Sequence, residues 1–152
     1  MVKFIRLFVA VLSSLFLILP ACAADHGTAQ EAEAMVKKAI SYMKTKGAEA
    51  AYPEFNNPKG SFSDRDLYIF VLDLSGKTLA HGSNPKLIGK NISTLRDVDN
   101  KAFIEEMLAV AKSKGQGWVD YKWPHPTTKA IEAKSTYFEK SGDVVVGCGI
   151  YK

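Results

Sequence analysis

Apolar positions change their period several times along this chain, and each change marks an element. Leu7–Leu19 is almost continuously apolar and carries no alternation. Behind Thr28-Ala29-Gln30-Glu31, the residues Ala32, Met35, Val36, Ala39, Ile40 and Met43 recur at helical spacing, which predicts an amphipathic helix. The Thr-x-x-Glu start is a capping box, in which hydroxyl and carboxylate each satisfy a free N–H at the helix start. Gly47 is the predicted stop. A short second helix is expected over Ala48–Tyr52, ended by Pro53, and Asn56–Gly60 reads as a loop.

Leu67–Leu72 is apolar on both faces and rich in β-branched and aromatic residues, which predicts a central strand. Ser75-Gly76 turns it back into a partner strand over Lys77–His81. Gly82–Asn91 is irregular. A third helix is expected to start at Asp99 or Asn100 as its cap, with Phe103, Met107, Val110 and Ala111 on its buried stripe. Gly115 and Gly117 close it. Three further strands follow, Trp118–Trp123, Ala130–Phe138 and Val144–Tyr151, the last two joined by the turn Lys140–Asp143. Short turns imply antiparallel pairing. Together these elements predict an α+β domain with an antiparallel sheet.

Composition adds an address. The chain has 152 residues, which suggests one domain, and 47% of them are apolar. Lys3 and Arg6 ahead of the apolar run, Pro20 behind it and Ala21-Cys22-Ala23 form a secretory signal peptide pattern over residues 1–23. The rest, residues 28–152, is expected to be one domain outside the cytoplasm. Leu19-Pro20-Ala21-Cys22 also loosely resembles a lipobox, so lipidation at Cys22 is the alternative end. Loss of the signal removes two positive charges and takes the formal charge from +4 to +2. Charges of both signs are interspersed, and no basic stripe points to nucleic acid.

Candidate chemistry is sparse. Cys148 is left as a lone thiol, with no nearby histidine or helix start to activate it. His26, His81 and His125 are scattered and show no metal-ligand spacing. No nucleophile motif or phosphate-binding glycine loop is present. The expectation is a non-enzymatic protein without a cofactor or metal.

The binding candidates lie mostly between Gly115 and Lys134. Val119, Tyr121 and Trp123 share one strand face, and Tyr121 and Trp123 suit a pocket wall, while Trp118 faces the other way. Lys134 could present a cation to a carboxylate, or it is an ordinary surface lysine. Tyr137 has the opposite parity to Lys134, so both face a pocket only if a bulge intervenes. His81 could donate to a bound acid or simply complete a turn. Tyr68 carries a hydroxyl that needs a partner once buried.

The order of motifs resembles a known family. Tyr68–Asp73, Gly76-Lys77, Ala80-His81, Leu87-Ile88-Gly89-Lys90 and Asp97, then Gly117–Pro124, Lys134-Ser135-Thr136-Tyr137 and Gly149-Ile150-Tyr151, resemble the single Cache domains of bacterial extracytoplasmic sensors. The resemblance covers Thr28–Lys152. It implies a PAS-like, five-stranded antiparallel sheet with a long N-terminal helix on one face. It places a ligand pocket on the other face, under the segment between the second and third strands. It implies binding of a small metabolite, often a short organic acid. Such domains usually sit between membrane helices ahead of a kinase or chemotaxis module. This sequence ends with its last strand and resembles a stand-alone secreted member, expected to act with a membrane sensor or transporter partner. Two other readings are open: an envelope interaction module with a filled pocket, and a thiol-dependent enzyme using Cys148.

Overall fold

The computed structural model describes residues 26–152. The signal peptide, its cleavage and the lipidation alternative at Cys22 fall outside the described residues. Helix α1 spans Ala29–Lys46, and the Thr28–Glu31 capping box is formed in both directions. Helix α2 spans Ala48–Phe55. Strands β1 (Ser63–Asp64), β2 (Leu67–Asp73) and β3 (Thr78–His81) follow, then a 3-10 turn at Pro85–Leu87. Helix α3 covers Phe103–Lys114, and β4 (Gln116–Pro124), β5 (Ile131–Ser141) and β6 (Val144–Tyr151) complete the chain.

The strands form one antiparallel sheet in the order β2-β6-β5-β4, with β3 and the two-residue β1 also paired to β2. The predicted five strands are present, and β1 is an addition. Each face carries its own core. On one face α1 and α2 pack on Ile69, Val71, Val146, Cys148 and Tyr137. On the other, α3 packs Phe103, Met107 and Leu108 against Phe70, Leu72, Val119, Tyr121 and Phe138. Strand β2 is thus buried on both sides, as its unbroken apolar run requires. Each such fully buried side chain contributes about 1.5–3 kcal/mol.

Two helix boundaries differ from the sequence reading, and among the strands β4 starts two residues earlier, at Gln116, and β5 runs three further, to Ser141. Helix α2 continues through Pro53 to Phe55 rather than ending at Tyr52. The fully buried Phe55 ring lies edge-on to Phe62 at 4.7 Å, and that packing outweighs the amide hydrogen bond that proline removes. Helix α3 begins at Phe103, not at Asp99 or Asn100. The Asp97 carboxylate draws the chain into a loop first, accepting N–H groups from Asp99 at 3.0 Å and Lys101 at 2.9 Å. Asn100 turns left-handed there, at φ 64°. The same carboxylate accepts the N–H of Lys122 on the outer edge of β4 at 2.9 Å, and Lys101 Nζ donates to the Asp120 carbonyl at 2.6 Å.

Strand β5 has no bulge. Its register against β4 and β6 is continuous from Lys134 to Glu139. The parity conflict between Lys134 and Tyr137 therefore resolves simply: they point to opposite faces.

Candidate functional site

Five of the six residues singled out in the sequence meet on the α3 face of the sheet. Tyr68, His81, Tyr121 and Trp123 line a cavity of about 20 Å³, closed by Phe70, Phe103, Ile104, Leu87 and Ile92. Lys134 stands beside it, only 1% exposed. Its Nζ donates to the Tyr68 hydroxyl at 2.6 Å and to the Tyr151 hydroxyl at 3.2 Å. It also lies over both rings, 4.1 and 4.6 Å from their centroids. Among the described residues no carboxylate pairs with it. A buried ammonium held only by neutral hydroxyls and ring faces is under-compensated.

Tyr137 is the exception. It lies in the α1-side core, 4% exposed, with its hydroxyl donating to Glu139 at 2.7 Å and its ring 5.3 Å from that of Trp118. It does not reach the cavity. Trp118, 36% exposed, covers that other face, as its parity predicts.

Each polar group around the cavity is fixed by its neighbours. His81 Nδ1 accepts the backbone N–H of Asn84 at 3.0 Å and of Ser83 at 3.4 Å. The hydrogen-bond network thus assigns the imidazole proton to Nε2, which becomes a donor. Burial, with the Lys134 charge added, pushes the His81 pKa down to about 3, so the ring is neutral at any physiological pH. Burial alone would raise the Tyr68 phenol, but the charge and hydrogen bond of Lys134 outweigh it and lower the pKa below its ordinary value. Burial raises Tyr121 and Tyr151 above theirs. The Tyr121 hydroxyl bonds Thr136 Oγ1 at 2.8 Å, and that of Tyr151 donates to the Pro124 carbonyl at 2.9 Å.

The sequence reading placed β6 correctly but missed what it contributes to the site. On the cavity side of that strand stand Gly147, Gly149 and Tyr151. A Cβ at Gly149 would lie 2.2 Å from Lys134 Cε and 2.4 Å from Thr136 Oγ1, and one at Gly147 would lie 2.3 Å from the Phe70 ring. These two glycines make the space in which the lysine stem and the Phe70 ring cross the sheet. The signal was present in the alternation Gly147-Cys148-Gly149-Ile150-Tyr151.

Two further groups bear on chemistry. Cys148 is fully buried in the α1-side core, and burial pushes its thiol up to about 12. That burial outweighs the nearby Lys134 charge, and the Cys148 Sγ lies 3.9 Å from Met35 Sδ. The histidines are less scattered than the sequence implies. His26, Asp66 and His125 each bring a donor atom within 4.8 Å of the others. However, His125 Nδ1 accepts N–H groups from Thr127 at 3.2 Å and Thr128 at 3.3 Å, so its proton sits on Nε2, which then has no lone pair for a metal. Asp66 instead anchors the start of the described chain, through Gly27 N–H at 2.7 Å and His26 Nδ1 at 3.2 Å.

An antiparallel sheet backed by α1 and α2, with α3 and a small cavity on its other face, is a PAS-like arrangement. The Single Cache domain 2 family matches residues 10–152, and the chain belongs to that family of ligand-sensing domains. It is 37% identical over 90 residues to the methyl-accepting chemotaxis protein McpP of Pseudomonas putida. The match takes in 58% of this chain but 16% of the receptor. A crystal structure of a methyl-accepting chemotaxis protein from Vibrio parahaemolyticus superposes with a TM-score of 0.70 at 28% identity, over 80% of this chain and 86% of that one. A Cache chemosensory domain described for its carboxylic acid recognition matches over the same shares, with a TM-score of 0.65 and 29% identity.

Proposed function

We propose that this chain is an exported, periplasmic ligand-binding domain for a short monocarboxylate, working through a separate signalling or transport partner. Residues 1–23 would act as the cleaved signal and 28–152 as the sensor domain. One observation carries the ligand class: Lys134 is a buried cation with no carboxylate partner among the described residues. A carboxylate would replace the neutral hydroxyls at Nζ and meet the Nε2–H of His81 as a second donor. A single cation, and walls that are otherwise Phe70, Leu87, Ile92, Phe103 and Ile104, suit one carboxylate on a short aliphatic chain. A dicarboxylate would bury a second charge without a partner. The carboxylic acid recognition described for the similar Cache domain supports the same reading.

The cavity volume of about 20 Å³ holds roughly one water molecule. Binding of an acid therefore requires the lining side chains to move outward. The same small volume favours a second reading, an interaction module whose pocket stays filled. A thermal-shift series with acids of two to four carbons separates the two. Binding raises the melting point, by about 2.7 kcal/mol of stability at a hundredfold excess over Kd. Lys134→Met should abolish that shift while leaving the unliganded fold as stable or more so, because it removes a buried charge. A melting point unmoved by every acid at saturating concentration would favour the filled-pocket reading. An undiminished shift in Lys134→Met would remove Lys134 from the site.

A further inference from the structure

Outside the inner cavity, three loops enclose a second and larger space of about 330 Å³. Its walls come from the loop after α2 (Asn56, Pro58), from Gly82–Pro85 after β3, and from Pro126 and Lys129 between β4 and β5. This volume falls in the range of small-molecule sites. Tyr68 lines both spaces and is the one residue they share. The Lys134 ammonium lies 2.6 Å from the Tyr68 hydroxyl.

The charge on these walls has one sign. Arg65 and Lys129 line the cleft, and no Asp or Glu does. The Arg65 guanidinium is engaged by Glu31 at 2.6 Å and Asp64 at 2.8 Å, which offsets its charge. Lys129 is different: its Nζ donates to the Pro126 carbonyl and has no carboxylate partner among the described residues. Its backbone is also held in the left-handed region, at φ 64°, by the bond from Lys129 N–H to the His125 carbonyl at 3.0 Å. Glycine or asparagine would take that conformation with less strain. A lysine placed there adds a cation to the rim at some conformational cost.

We propose that this cleft is the outer binding vestibule of the inner site, where Lys129 gathers the carboxylate before it displaces Tyr68 from Lys134. The proposal rests on the monocarboxylate reading above. It predicts that the ligand passes by Tyr68, and not through the neighbouring cleft of about 290 Å³ beside Trp123, where Lys86 is the additional cation.

Stopped-flow binding of propionate, followed by tryptophan fluorescence, tests this, because Trp123 lines the cavity. Lys129→Glu should slow association roughly three- to tenfold at low ionic strength and leave the dissociation rate unchanged. That difference should vanish at about 0.5 M salt. Pro58→Trp, which puts a ring into the cleft from an exposed loop, should slow association and dissociation by the same factor and leave Kd unaltered. Lys86→Trp, which obstructs the neighbouring cleft, should leave dissociation unchanged. Normal rates in both Lys129→Glu and Pro58→Trp would overturn the vestibule while leaving the monocarboxylate reading standing. Slowed release in Lys86→Trp would likewise overturn it and move the route to the Trp123 side. Failure of the wild-type protein to bind propionate or any other short acid would overturn both proposals together.

Discussion

Lys134 Nζ has three N–H groups, and two tyrosine hydroxyls take two of them. The third has no hydrogen-bond partner among the described residues. Its neighbour His81 is a neutral donor, with a pKa pushed down to about 3 by burial first and then by the Lys134 charge. In the unfolded chain the same imidazole takes a proton near its ordinary value of about 6.5. Between those values the unfolded state binds more protons, so the stability present above pH 6.5 is lost as pH falls toward 3. The slope from this group reaches at most about 1.4 kcal/mol per pH unit. His81→Gln removes it, so melting points taken from pH 7.5 down to 4.5 should fall less steeply in the variant. Parallel curves would show that His81 is not the titrating group. The Cys148 thiol, raised to about 12, should stay unmodified by a maleimide at pH 8 until the protein is unfolded, as mass spectrometry would record. Rapid labelling of the native protein would revive the thiol-dependent reading.

Among the elements, β6 decides whether the site exists. Gly149→Ala would drive a methyl group into the Lys134 stem and Thr136, and either the lysine or the strand must shift. The expected result is a loss of about 1–3 kcal/mol of stability, with acid binding reduced further than that loss explains. Calorimetric titration beside a denaturant melt separates the two effects, and normal affinity would show that the lysine's position is not critical. This strand also shows how far the sequence could be read. The α1 cap, the turn at Gly142 and the extent of β6 all follow from local pattern, because each depends on neighbouring residues alone. With Ser141 opposite Val144 across that turn, counting back along the hairpin sets Tyr151 opposite Lys134, as the register has it. The partner of Lys134 was therefore legible, given a strand without a bulge. The helix α3 start was not, because the Asp97 carboxylate competes with a cap by bonding three backbone N–H groups, one of them on β4. Nor was the meeting of His26 with His125, whose rings lie 5.8 Å apart although 99 positions separate them in the sequence.

Across the whole molecule, the sheet divides two different interiors. The α1 side is a core of small and aliphatic side chains, such as Ala32, Val36, Ile69 and Val146, packed with the rings of Phe55, Phe62 and Tyr137. The α3 side contains the cation, the neutral donors and the small cavity. That cavity lies between the sheet and the cover formed by α3 and the loop between β3 and α3. Strand β4 forms the outer edge on this side. There the Lys122 N–H and the Asp120 carbonyl, which would pair with an incoming strand, are already bonded to Asp97 and Lys101. Asp97→Ala frees the Lys122 N–H and loosens the loop that carries Lys101, the donor to the Asp120 carbonyl. On concentration that variant should scatter light where the wild type does not, and equal scattering would show that the edge is protected otherwise. The carboxylate that delays the start of one helix also occupies a backbone donor at which an extended chain would add to the sheet.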